Sequence, residues 1–173
     1  MKRLDNKVAI VTGASKGIGA GIAKAFAAEG AAVIVNYARD QAGAERVVRE
    51  ITGKGGRAVA VQGDVAQRSD AQRLVAEAKK AFGRLDVLVN NAGVFSFAPF
   101  EQFSEQEFHR QFNTNVLGTF LMVEAGRRQH NQHRIDGQCR CLPDPFDLRG
   151  VKERCQWLDA RALKRVRPQK NPR

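Results

Sequence analysis

The stretch Thr12 to Gly19, TGASKGIG, constrains this chain more than any other. It follows a short apolar, β-branched run, Lys7 to Thr12 (KVAIVT), which reads as a buried strand. After it Ile18, Ile22, Ala25 and Phe26 recur at helical spacing until Gly30. A strand, a glycine turn and a helix in that order make a phosphate cradle. Gly13 permits a tight turn, Gly17 lets backbone approach a pyrophosphate, and Gly19 lets helix pack on strand. The helix start offers free N–H groups and the positive end of its dipole. Ser15, Lys16 and Ile18 belong to the same expected cofactor-binding loop.

The alternation continues through residue 125. Ala32 to Tyr37 (AVIVNY), Ala58 to Gln62 (AVAVQ) and Leu85 to Asn90 (LDVLVN) read as further strands. Between them, Ala44, Val47, Val48 and Ile51 form one helical face, and Ala71, Leu74, Val75, Ala78 and Phe82 form another. Ser69 with Gln72 reads as a capping box for the latter, and Ser104 with Glu107 as the cap of a helix carrying Phe108, Phe112, Phe120 and Leu121. Strands that alternate with helices pair in parallel, with helices on both faces. The expected fold class is doubly wound α/β. Its ligand belongs beyond the carboxyl ends of the strands.

The spacing GxxxGxG after a first strand resembles the short-chain dehydrogenase/reductase family, including its 3-oxoacyl-carrier-protein reductases and sugar dehydrogenases. Three more motifs follow in the family's order: Gly63-Asp64-Val65, Asn90-Asn91-Ala92-Gly93 and Asn113-Thr114-Asn115-Val116. The resemblance implies a Rossmann-type sheet, here a half-sheet of about four strands ordered 3-2-1-4, with Asp64 and Val65 at the adenine, and Asn91, Ala92 and Gly93 along the cofactor. It implies that Asn115 is a member of the catalytic tetrad. It also implies hydride transfer between a nicotinamide and a small carbonyl or alcohol, in a homotetramer whose interface includes the helix after Ser104.

Charge favours NADP over NAD. Relatives that prefer NAD place a carboxylate at the end of the second strand for the ribose 2′-hydroxyl. Here that end reads Asn36-Tyr37-Ala38-Arg39, with no carboxylate before Asp40. Arg39 and Lys16 suit a 2′-phosphate, which takes charge-assisted partners. Asn36 and Arg39 join the expected cofactor set.

Composition divides the chain near Ala125. Residues 1–125 hold 16 Lys/Arg against 13 Asp/Glu, and residues 126–173 hold 13 against 5. The net charge of +11 therefore resides mostly in the second part. That charge attracts phosphate non-specifically, but no nucleic-acid recognition module accompanies it. His130, His133, Cys139, Cys141 and Cys155 lack a CxxC pair, so no metal site is expected. No apolar run has the length of a membrane span and no signal-peptide pattern opens the sequence, so a cytoplasmic protein is expected.

The family's chemistry uses a tyrosine, a lysine four residues later and a serine. The lysine lowers the phenol's pKa so that it can act as general acid. This sequence has one tyrosine, Tyr37, and no serine after Ser104. Residues 126–173 show no stable period and read as a disordered basic tail or as out-of-frame coding. The genetic code separates these. If each residue of a second frame takes the last two bases of one codon and the first of the next, Arg128 to Phe146 permit GSIINIGSMVSAGASPTP. Phe146 to Glu153 permit SIYAASK, and Leu163 to Arg173 permit SKEFGPKKIR. That order restores a Ser, a Tyr and a Lys at the family's spacing. The expected organisation is a dinucleotide-binding half at 1–125 and an out-of-frame or disordered basic tail at 126–173, with no activity in the chain as written; the alternative to a reductase is a non-catalytic dinucleotide-binding remnant or a pseudogene product.

Overall fold

The computed structural model describes residues 2–130. The expectations for residues 131–173 lie outside the described residues. Four strands alternate with helices: β1 (Val8–Val11), α1 (Gly17–Ala28), β2 (Ala32–Tyr37), α2 (Gln41–Thr52), β3 (Arg57–Gln62), α3 (Arg68–Phe82) and β4 (Val87–Val89). A 3-10 turn (Phe100–Gln102), α4 (Glu105–Phe112), one turn of π-helix (Asn113–Leu117) and α5 (Gly118–His130) follow. All three strand pairings are parallel, as the alternation predicts, in the order β3-β2-β1-β4 that the resemblance implies.

Two helix layers cover the sheet. Ala9, Val11, Val33 and Val35 face α1 and α2, while Val8, Ile10, Ala32 and Ile34 face α3 and α5. Every residue of β1 and β2 is buried, as the central strands of a doubly wound sheet require. Burying a side chain such as Ile10 or Ile34 contributes about 1.5–3 kcal/mol.

Three local expectations change. The buried face of α1 is Gly19, Ala20, Ala23 and Ala27, whereas Ile18 is exposed and Ile22 and Phe26 only partly buried. Small residues win that face because the helix lies close against the glycine loop. Ser69 lies inside α3, whose N-cap is Gln67, and no side chain caps that helix. The nearby Asp70 carboxylate accepts instead from the Asp64 N–H, at 2.8 Å. The helix expected after Ser104 is interrupted by the π turn, and α5 continues past residue 125 to His130. Ser104 does cap α4, accepting from the Glu107 N–H.

Candidate functional site

At the carboxyl ends of β1 and β4, Thr12 joins the two strands. It is 1% exposed. Its hydroxyl donates to the Val89 carbonyl (3.3 Å) and accepts from the N–H groups of Asn91 (2.8 Å) and Ala92 (2.9 Å). Asn91 replies through its side-chain amide, which donates to the carbonyls of Thr12 and Gly13 at 2.8 and 2.9 Å. The glycine loop is thus fixed to the loop after β4 by side chains from both motifs.

The glycines are required by space as well as by dihedral angle. Gly13 has φ +60°, and a Cβ there would lie 2.9 Å from the Ala92 Cα. A Cβ on Gly19 would fall 2.4 Å from the Asn91 amide nitrogen and 2.5 Å from the Gly13 carbonyl. Gly17, at φ +58°, has open space where its Cβ would be. That opening, at the start of α1, leaves room for a group approaching the helix N-terminus.

Asn36 is the penultimate residue of β2 and is 1% exposed. Its side-chain oxygen accepts from the Gly13 N–H at 3.1 Å, and its amide donates to the Gly63 carbonyl at 2.9 Å. Two longer bonds reach the carbonyls of Tyr37 and Val61. Its side chain therefore braces the loop from within the protein. Ser15 is buried, while Lys16 and Arg39 are exposed. Neither cation's side chain forms an ion pair among the described residues. Asp40 caps α2, accepting from the Gly43 N–H at 2.9 Å. The carboxylate nearest the end of β2 is thus committed to the backbone.

Asp64 is exposed after β3 and turns the chain by accepting from the Ala66 N–H. Its own N–H bonds Asp70, whose carboxyl is held below its ordinary value by the Arg73 guanidinium and by that N–H. Val65 is 5% exposed and packs on Gly118, where a Cβ would come within 2.7 Å of it.

Asn115 sits in the π turn, a feature that often marks a working site. Its side chain brackets Val94: Oδ1 accepts from the Val94 N–H (2.9 Å) and Nδ2 donates to the Val94 carbonyl (2.8 Å). The Asn115 carbonyl accepts from the Thr119 hydroxyl. Gly93 lies alongside, its missing Cβ 3.3 Å from the Asn115 Oδ1. Two residues on, Ser96 donates to Glu107 at 2.6 Å. Arg110 forks onto the same carboxylate, and Gln111 donates to both Ser96 and Glu107. Arg110 first, and Ser96 after it, hold the Glu107 carboxyl down to about 2.

A second opening of about 280 Å³ is lined by Lys2, Lys24, Glu50, Lys54 and the ends of α1 and α2. It lies where both helices present carbonyls, which disfavours an anion. Lys24 and Glu50 already pair there.

The short chain dehydrogenase family model matches residues 7–137. This chain belongs to the short-chain dehydrogenase family. It is 56% identical over 128 residues to an uncharacterized oxidoreductase of Methylorubrum extorquens, covering 74% of this chain and 52% of that protein. It is 44% identical to versicolorin reductase 1 of Aspergillus parasiticus, covering 77% and 51%. Among solved structures, a short-chain dehydrogenase from Burkholderia cenocepacia in complex with NADP superposes at TM-score 0.71 with 40% identity, covering 73% of this chain and 51% of that one. One from Mycobacterium avium superposes at 0.73 with 40% identity, covering 76% and 50%. The chain spans about half the length of the curated relatives it matches.

For this short-chain dehydrogenase, the residues present fit a nicotinamide dinucleotide. The cradle of Gly13, Gly17 and Gly19 leaves space at a helix N-terminus, and two cations without ion-pair partners among the described residues flank it. The sequence reading brought Gly13, Ser15, Lys16, Gly17, Ile18, Gly19, Asn91, Ala92 and Gly93 to the ends of β1 and β4. It missed the work of Thr12 and of the Ser96, Glu107, Arg110 and Gln111 group. For Thr12 the available signal was a polar residue closing an apolar strand just before a glycine. Among the described residues no group of His, Cys, Asp and Glu could hold a metal ion, and no helix is long and apolar enough to cross a membrane.

Proposed function

We propose that residues 1–125 form the dinucleotide-binding half of an NADPH-dependent reductase that converts a ketone to a secondary alcohol, or the reverse. The observation that carries the cofactor choice is the end of β2. Arg39 and Lys16 are exposed without ion pairs among the described residues, and Asp40 is spent as a helix cap. A 2′-phosphate meets cations there, and the nearest carboxylate, Asp40, gives one oxygen to the cap of α2.

A bound nicotinamide supplies or takes the hydride. Lys16, Arg39 and the loop N–H groups bind the phosphates. Asp64 and Val65 border the adenine, and Asn91, Ala92 and Gly93 line the dinucleotide's path. Asn115 holds the loop after Gly93 and, through its π turn, keeps backbone groups available to a water in the proton relay. Residues Val94 to Gln102 line one wall of the substrate cleft. Carbonyl reduction also needs a proton for the oxygen. The sequence's one tyrosine, Tyr37, lies buried in β2 and is not placed to give it. We therefore read the chain as written as a binding unit without turnover. The catalytic Tyr and Lys are encoded out of frame across positions 148–153, and residues 126–173 are out-of-frame sequence. The in-frame protein is a cytoplasmic homotetramer that takes no specific nucleic acid and no membrane.

The test compares the 173-residue chain with a version in which one base rejoins the frames near codons 125–128. The chain as written should bind NADPH at least about tenfold more tightly than NADH, a preference of charge-assisted contacts. It should oxidise no NADPH with a ketone, while the rejoined version turns over. Equal affinity for the two cofactors sinks the NADPH assignment. Ketone-dependent turnover by the chain as written sinks the assignment of the proton donor.

A further inference from the structure

The loop after β4 ends with two phenylalanines in water. Phe95 is 74% exposed and Phe97 is 95% exposed. Their rings meet edge to face, with centroids 5.4 Å apart. Single exposed apolar side chains are ordinary, but an ordered pair on a loop is not. The loop is held on both sides of Phe95. Asn115 takes both backbone groups of Val94, and Ser96 is fixed to Glu107 and Gln111. Glu107 is in turn gripped by both prongs of Arg110. The alternation does the rest. Val94 and Ser96 turn inward to their polar anchors, so Phe95 and Phe97 project outward.

This arrangement immobilises backbone in order to present two rings. It supplies π faces and edges at a fixed separation, about two residues' length from Asn115. An aliphatic partner would gain only contact area from such a surface. A flat ring gains offset or edge-to-face geometry as well, and arrives at a surface that has already lost its freedom.

We infer that Phe95 and Phe97 form a ring-binding wall, held in place by Glu107 as a positioning residue, and that the carbonyl or alcohol compound taken at this site carries an aromatic ring. The inference rests on the proposal that Val94 to Gln102 border the substrate cleft.

The experiment uses the full 173-residue chain and two probes of equal carbon count, 2-naphthol and decahydro-2-naphthol. Binding is followed by ligand-observed NMR, with NADPH affinity measured on the same samples. Wild type should favour 2-naphthol by about tenfold, the size expected of one or two aromatic contacts. Phe95→Leu with Phe97→Leu keeps apolar bulk at two exposed positions, and should abolish that preference without changing NADPH affinity. Glu107→Ala should lower the preference several-fold, and Glu107→Gln, which still accepts from Ser96, should restore part of it. Equal binding of both probes by wild type, or an unchanged preference in the double Leu variant, overturns the inference even if NADPH binds well. A ring preference that survives in a chain unable to bind NADPH supports the wall and counts against the cofactor reading alone.

Discussion

The two outer strands of the sheet meet the same problem differently. β3 alternates exposed and partly buried positions, with Val61 alone fully buried, and carries Arg57 and Gln62 at its ends. Such a strand tolerates an edge, since its charge and its mixed faces discourage pairing with another chain. β4 is buried throughout, with Val87, Leu88 and Val89 all under 9% exposed. Among the described residues it pairs with β1 alone. A strand apolar on both faces is the pattern of a sheet's interior. The exposed Phe95, Phe97, Phe108, Phe112 and Phe120 also follow β4 in sequence. Order on the β3 side is maintained by a six-residue pairing with β2 and by turn chemistry at Asp64. On the β4 side it depends on a few side-chain hydrogen bonds, above all those of Thr12.

The largest effect should come from cutting that attachment. Thr12→Val keeps the volume but removes the acceptor of the Asn91 and Ala92 N–H groups. Leaving buried donors without partners costs about 1–3 kcal/mol each. We expect a loss of about 2–4 kcal/mol by urea denaturation. Amide exchange should speed up in β4 and the loop after it before β3 changes. A loss below about 0.5 kcal/mol, the ordinary range for surface changes, would break the contrast. So would exchange rising evenly across all four strands.

The same contrast governs what the sequence revealed. β2 has the bounds that AVIVNY predicts, and parallel pairing follows from the alternation, whereas the order β3-β2-β1-β4 follows from the family resemblance. The glycine motif was equally legible, since φ near +60° at Gly13 and Gly17 excludes most other residues. Side-chain commitments were less legible. Asn36, near the end of β2, is expected from the sequence to meet the cofactor, yet its side-chain amide serves Gly13 and Gly63, a bond pattern that needs three segments in place. Ser69 has the capping-box spacing, but the helix starts two residues earlier, after Gln67, next to the turn where Asp64 and Asp70 bond. Ile18 looks like core in a helical count and lies 54% exposed, because glycine and alanine fill the close contact of α1. Periodicity reports which face is apolar, and backbone approach decides which apolar face fits.

A smaller effect should follow from changing the exposed rings on the β4 side. Phe108 and Phe112 stack with centroids 4.3 Å apart on the surface of α4, at 44% and 50% exposed. Phe112→Ser removes apolar surface that water already touches. Stability should move by no more than about 0.5 kcal/mol, the usual range for surface substitutions. Self-association measured by sedimentation should fall, because the apolar patch shrinks. A large loss of stability would mean that Phe112 belongs to a core. Unchanged association would mean that the β4 side is no stickier than the β3 side.

The smallest effect concerns acid. Arg110 and then Ser96 hold the Glu107 carboxyl from its ordinary 4.5 down to about 2. The folded value lies below the unfolded one, so protons favour release. The clamp on Ser96 is therefore complete above about pH 4.5 and is lost as the pH falls towards 2. The group is exposed, so the change should appear as local loosening ahead of any large change in stability. Carbon-13 NMR of the Glu107 carboxyl should titrate near 2, with the Ser96 and Phe97 amides shifting at the same midpoint. Glu107→Gln should make those amides insensitive to pH in that window. A Glu107 midpoint near 4.5 would show that Arg110 and Ser96 leave it free. Asp70 offers the internal control on the β3 side, since Arg73 and the Asp64 N–H lower it as well. If acid moves the turn at Asp64 but not the loop at Ser96, the dependence on side-chain bonds belongs to the β3 side instead, and the contrast between the two edges reverses.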